Sequence, residues 1–238
     1  MADGPQYSLS SRKKLTARDL GRFPDATLFH HAARVLCAAE CVPRKELYES
    51  WEVARRTRRR FRGGRVVDLA CGHGLVAWMM LLLDDTSPGA LAVDVRVPES
   101  ARKVEAALVA EWPRLLGRVR YVEGKLGTIA LEAGDVVVSA HACGGLTDEV
   151  LSLAIAARAR VAVLPCCQAE GKGDLGGLSG WMDGALAIDA TRAARLLASG
   201  FDVHTQTIPE EITPKNRLLL GEARERLAPA QGDVLQGT

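Results

Sequence analysis

The chain has 238 residues, of which 47% are apolar and 25% charged, with a net charge of +2. That composition supplies one sizeable core and excludes a disordered chain or one drawn to polyanions by overall charge. The longest apolar run, Leu75 to Leu83, is about half of what a membrane span needs, so no membrane partner is expected. Six cysteines without paired zinc-finger spacing, and a polar start without a secretory leader, give the expectation of reduced thiols in a cytoplasmic protein.

Met1 to about Arg22 is polar, with Arg12, Lys13 and Lys14 clustered. Leu28, Phe29, Ala32, Val35, Leu36 and Ala39 recur at helical spacing and predict an amphipathic helix over Ala26–Glu40. Cys37 and Cys41 share one face there; two thiolates cannot close a tetrahedral zinc site, so core packing is expected. Pro43 opens a second helix, Lys45–Phe61, which Gly63-Gly64 break. Its end carries Arg55, Arg56, Arg58, Arg59, Arg60, Arg62 and Arg65. Two readings stand for that cluster: a solvated helix end, where cations are favourable, or a phosphate-gripping surface beside the functional site for an RNA partner.

Arg65 to Leu83, RVVDLACGHGLVAWMMLLL, reads as a buried strand, a glycine turn and an apolar helix. Gly72 and Gly74 remove Cβ atoms that would hold a ligand off the turn, and the helix start favours an anion. Asp68 lies inside the apolar run, where an acid is costly without a role. Gly72-His73-Gly74-Leu75-Val76-Ala77 also satisfies the dinucleotide fingerprint G-x-G-x-x-G/A. A second apolar run, Ala90–Asp94, ends in an acid 26 residues after Asp68, suited to accept from ribose hydroxyls.

Asp68-Leu69-Ala70-Cys71-Gly72-His73-Gly74 resembles motif I of the class I S-adenosylmethionine (SAM) methyltransferases. The resemblance implies an acid beneath SAM and glycines that make room for its methionine part. Ala70 stands where that family usually has its first glycine. The dinucleotide fingerprint needs no acid in its first strand, so Asp68 favours SAM over NAD. The cofactor-binding candidates are Asp68, Ala70, Gly72, Gly74 and Asp94.

Beyond Asp94 the pattern predicts a helix over Glu99–Leu116 and a strand over Val119–Val122. Glu123 follows as a candidate for the adenine amino group, with Lys125 in the place where an aspartate is expected. Strands at Asp135–Ser139 and Arg160–Leu164 flank a helix over Thr147–Ala157, with Thr147 as its cap. Gly171–Gly180 reads as a glycine-rich surface loop, and Asp189–Ser199 as a helix stopped by Gly200. Two strands near Asp202–Ile208 and Arg217–Gly221 are joined too closely for a crossover and pair antiparallel. The alternation implies a mostly parallel α/β sheet with helices on both faces, and with its antiparallel last strand the whole resembles the Rossmann-like sheet of the class I methyltransferases. A helical extension (1–62) precedes the SAM-binding domain (63–222), and a loose tail (223–238) follows.

Ligands of such sheets lie beyond the carboxyl ends of the strands. Ser139-Ala140-His141-Ala142-Cys143-Gly144-Gly145 and Pro165-Cys166-Cys167-Gln168 both fall there, so His141, Cys143, Cys166 and Cys167 are candidates for chemistry. His141 reads as a general base or orienting group, the cysteines as nucleophiles, soft metal ligands or pocket walls; no known zinc spacing is met. His-x-Cys-Gly followed by Pro-Cys-Cys looks like the methyltransferase-domain branch that includes tRNA 2′-O-methyltransferases of the Trm13 type. That likeness implies SAM-dependent methylation with RNA as the leading acceptor. Thr213-Pro214-Lys215-Asn216-Arg217 offers two cations to an anionic acceptor, or is simply a proline turn. The rival readings are an NAD(P)-dependent oxidoreductase and a non-catalytic SAM-fold binding module.

Overall fold

The computed structural model describes residues 7–165 and 173–225. Among them, seven strands form one sheet: β1 (Val66–Leu69), β2 (Ala90–Asp94), β3 (Val119–Glu123), β4 (Val136–Ser139), β5 (Arg160–Val163), β6 (Phe201–Thr207) and β7 (Arg217–Ala223). Their order is β3-β2-β1-β4-β5-β7-β6. Strands β1 to β5 are parallel, and β7 runs antiparallel between β5 and β6. This is the expected Rossmann-like sheet with a reversed last strand. The chain leaves β1 to one side and β4 to the other, which opens a crevice at their carboxyl ends.

Both central strands read as apolar runs, VVDL and VVVS, and are buried along their length because helices cover both faces. Helix α1 (Leu28–Ala39) and helix α2 (Arg44–Arg60) precede the sheet, and α3 (Leu75–Leu83) follows β1. Helix α3 has no polar face, since the sheet lies on one side and α2 on the other. Leu36, Leu47 and Val53 of the first two helices share one core with α3 and with Val66, Ala92 and Val138 of the sheet. Cys37 and Cys41 belong to that core, and burial pushes the Cys37 thiol up to about 11. On the opposite face, Val67, Leu69 and Val137 pack under α5 (Gly145–Ala157) and α6 (Gly184–Ala198).

Several boundaries differ from the sequence pattern, and β7 runs to Ala223 rather than Gly221. Helix α4 (Ala101–Glu111) stops short of Leu116 because Pro113 starts a separate 3-10 turn. Helix α6 starts at Gly184 rather than Asp189, since Asp183 caps it by accepting the Leu186 N–H at 3.0 Å. Thr147 is not the cap of α5: it lies buried in the first turn, and its Oγ1 donates to the Ala142 carbonyl at 2.6 Å. Among the described residues no helix is long and apolar enough to cross a membrane. The expected tail lies, beyond Glu225, outside the described residues.

Candidate active site

Between β1 and α3 the backbone enters the left-handed region at Ala70 (φ 57°), Gly72 (φ 53°) and Gly74 (φ 71°). The alanine Cβ is crowded there by roughly 1–2 kcal/mol, which is why a glycine is the ordinary choice. The two glycines answer to different neighbours. A Cβ on Gly74 would sit 2.9 Å from Tyr121 Cε1, whose hydroxyl donates to the His73 carbonyl at 2.8 Å. A Cβ on Gly72 would meet nothing within 4 Å. The open space is therefore at Gly72, while Gly74 permits close packing.

Asp68 lies beneath this bend, 1% exposed, and its Oδ2 accepts the Ala77 N–H at 3.1 Å. Burial pushes its carboxyl well above the usual range; Glu46 and Asp94 add to that, and the Ala77 N–H opposes it. Asp94, ending the neighbouring β2, accepts the Gly72 N–H through Oδ2 at 2.9 Å. Beside it opens a cavity of about 290 Å³ walled by Ala70, Asp94, Val95, Lys125, Leu126 and Leu146 among others. Glu123 is turned to the adjoining loop, where it accepts the Val97 N–H at 3.1 Å.

The segment after β4 is tied to the same bend. Ser139 Oγ donates to the Leu69 carbonyl at 2.6 Å and accepts the Ala142 N–H at 3.3 Å. With Thr147 holding the Ala142 carbonyl, half-buried His141 and exposed Cys143 are carried at the carboxyl edge of the sheet. Buried Arg192 of α6 donates to the Gly144 carbonyl at 3.0 Å and pairs with Asp148 at 2.8 Å. Sequence reasoning passed over that arginine. Cys166 and Cys167 lie outside the described residues. Among the described residues, no three His, Cys, Asp or Glu side chains are grouped to hold a metal ion.

Helix α2 also reaches this edge, which the sequence reading missed. Glu46 meets His73 Nδ1 at 2.9 Å, and His73 Nε2 meets Ser100 Oγ at 2.9 Å. One turn on, Glu49 is 3% exposed, with Lys45 Nζ at 3.2 Å. Burial raises the Glu49 carboxyl, while Lys45, His141 and the Thr213 hydroxyl draw it back. The available signal was spacing: Glu49 and Ser50 fall on the stripe of Val53, Ala54 and Thr57 that faces the core.

A family model described as a methyltransferase domain matches residues 45–173, more than half of the chain. The chain belongs to the methyltransferase-domain family. One solved structure agrees in fold, and two others are similar chains. An O-methyltransferase family protein from Burkholderia thailandensis is 17% identical, with a TM-score of 0.50 over 90% of this chain and 64% of its own. The SAM-dependent methyltransferase SibL is 18% identical, with a TM-score of 0.48 over 89% and 66% of the two chains. The tRNA methyltransferase TrmK of B. subtilis is 15% identical, with a TM-score of 0.46 over 74% and 67%. The present chain thus spans under two thirds of the Burkholderia protein. No curated protein matches it.

SAM is the cofactor of this class of methyltransferase, and the residues present fit it. Asp94 presents a carboxylate at a cavity wall where it could accept from ribose hydroxyls, apolar Val95, Leu126 and Leu146 line the same cavity as a base would require, and Gly72 leaves the bend uncovered.

The arginine cluster of this chain is not one continuous free surface beside the bend. Arg58 is 2% exposed and donates to the Met80 carbonyl at 3.1 Å and Ser87 Oγ at 2.6 Å, with Asp84 at 3.2 Å. Burial pushes its guanidinium down to about 10. Arg55 and Arg56 fold onto Glu52 at 2.8 and 3.0 Å. Arg62 reaches the Leu83 carbonyl, and Arg65 grips Asp135 at 2.7 Å. Arg65 and Asp135 immediately precede β1 and β4, so this end of the cluster occupies the amino edge of the sheet, opposite Asp94.

Proposed function

We propose that this protein transfers a methyl group from SAM to an acceptor on RNA, within the branch marked by its His-x-Cys-Gly and Pro-Cys-Cys segments. The observation that carries the reading is the Asp94–Gly72 hydrogen bond at 2.9 Å, which places the bend, the strand-end acid and the adjoining cavity in one unit. Asp68 supports the bend from below, and Asp94 and Ala70 wall the adenosine side. When bound, SAM supplies an activated methyl and departs as a neutral thioether. His141 accepts the proton that the acceptor hydroxyl or amine loses, and positioning by the surrounding loop provides most of the remaining rate. Residues 1–62 act as a helical extension framing the acceptor side of a cofactor domain expected over 63–222, whose last strand runs on to Ala223. Lys215, between β6 and β7, offers a cation to a phosphate.

The test is radiolabelled SAM with total RNA, protein and metabolite extracts, run beside calorimetric titration with SAM and NAD(H). Label in the RNA fraction and heat only with SAM are the expected results. Label confined to protein or metabolites removes RNA, and tight NAD(H) binding without SAM binding overturns the methyltransferase activity.

A further inference from the structure

A bend built on two glycines is loose unless its neighbours hold it, because glycine gives up the most freedom on ordering. Gly72 is held by Asp94 of β2, and the His73 carbonyl by the Tyr121 hydroxyl of β3. Both of those ties come from the sheet that carries the bend. Another comes from the helical extension. His73, between the glycines, has a side chain 16% exposed and engaged at both ring nitrogens. Glu46 of α2 brings Oε1 to 2.9 Å and Oε2 to 3.0 Å from Nδ1. A carboxylate only accepts, so Nδ1 carries a hydrogen; in the neutral ring Nε2 then accepts, and the Ser100 hydroxyl donates to it at 2.9 Å. An acid in the first turn of a helix ordinarily answers that helix's own exposed N–H groups, whereas both oxygens of this one are spent on the bend. Ser100 stands just before α4, and its carbonyl accepts the thiol hydrogen of Cys41, from the α1–α2 connection, at 3.6 Å. The extension therefore grips the bend and the start of α4 together.

We infer that Glu46 is a positioning residue for SAM, acting through His73, so that the helical extension forms part of the cofactor site. The inference rests on the reading that SAM binds at the Asp68–Gly74 bend, and it gives α2 a part in cofactor binding beyond covering α3. What Glu46 supplies is fixed orientation. With the ring anchored at both nitrogens, the Gly72-His73-Gly74 backbone holds one arrangement before the cofactor arrives, so little freedom is left to lose on binding. Releasing the ring leaves the packing of α2 on α3 in place but lowers the share of molecules whose bend is ready. Apparent affinity falls by the same factor as that share.

The test uses the full chain with Glu46→Ala, Glu46→Gln, His73→Ala and the Glu46→Ala/His73→Ala double variant, with Asp94→Ala run beside them. Calorimetric titration with SAM gives the affinity of each, melting curves report folding, and nitrogen-15 spectra of the His73 ring report which nitrogen carries the hydrogen. Glu46→Ala is expected to bind SAM about tenfold more weakly, to melt within about 5 °C of the unaltered protein and to change the His73 ring signals. Glu46→Gln, whose amide oxygen still accepts from Nδ1–H, should recover part of the affinity. In the His73→Ala background, Glu46→Ala should weaken binding no further. Unaltered SAM affinity in a folded Glu46→Ala protein, while Asp94→Ala binds weakly, overturns the inference and leaves the bend as the cofactor site. A further loss from Glu46→Ala when His73 is already alanine, or unchanged ring signals, overturns it as well. If Asp94→Ala binds SAM as tightly as the unaltered protein, the bend is not the cofactor site, and that reading falls with the inference. Should Glu46→Ala fail to fold, His73→Ala decides in its place, and full SAM affinity there overturns the inference.

Discussion

Asp94 Oδ2 accepts the Gly72 N–H at 2.9 Å, so the acid closing β2 and the bend leaving β1 are held in fixed relation. Asp94→Ala removes both this bond and the acceptor at the cavity wall. Hydrogen bonds to a charged group contribute about 1.5–3 kcal/mol, so SAM affinity is expected to fall by about tenfold to a hundredfold. Calorimetric titration of the purified variant measures it; an unaltered dissociation constant would move the ribose site elsewhere.

The two glycines of the bend should fail in different ways. Gly74→Ala drives a Cβ to 2.9 Å from the Tyr121 ring at a backbone φ of 71°, so its main effect is lost stability, about 2 kcal/mol or more. Gly72→Ala has open space, so it loses only about 1–2 kcal/mol of backbone ease while obstructing the ligand side. Urea denaturation and SAM titration of both variants separate the outcomes. Equal losses of stability and binding in the two would contradict the division of roles.

Asp68 makes stability depend on pH in a stated direction. Its folded carboxyl is raised by burial, above the unfolded aspartate near about 3.9. Between those two values the native protein keeps a proton that the unfolded chain releases, so stability is complete below the unfolded value and lost as pH rises through the folded one. Asp68→Asn carries no such proton. Its stability relative to the unaltered protein should therefore climb from about pH 4 upward and then level off. Denaturation in the absence of SAM over that range tests it, and a pH-independent difference would place Asp68 in contact with solvent.

Arg58 and Arg59 adjoin in sequence and differ in consequence. Arg58→Ala takes the nearer of two cations from buried Asp84, leaving Arg62 at 3.6 Å, and frees the Met80 carbonyl, a change expected to cost about 3 kcal/mol. Exposed Arg59→Ala should stay within about 0.5 kcal/mol. Chemical denaturation compares them directly. If Arg58→Ala proved harmless to stability, the cluster would regain its standing as a free cationic surface.

The alternation of apolar runs with helical periods carried the sheet, its parallel order and the reversed last strand. An acid before glycines, and a second acid ending the next strand, pointed to the bend that Asp94 holds beside a cavity, because those two features are local in sequence. What stayed hidden depends on distant partners. Nothing in RRTRRRF separates Arg58, whose partners are Met80, Asp84 and Ser87, from its solvent-facing neighbours. Glu49 follows Lys45 by four residues and looks like a surface pair until α2 is laid on α3. Thr147 looks like a cap because the bond it makes, to the Ala142 carbonyl, runs backward into the loop it steadies.

Helix α3 carries a last consequence. Trp78, Met79, Met80 and Leu81 are fully enclosed, and much of that enclosure comes from residues ahead of Gly63. A chain trimmed to start at Gly63 would hold the whole sheet yet leave a greasy rod bare along one side, and it should precipitate rather than work as a minimal enzyme.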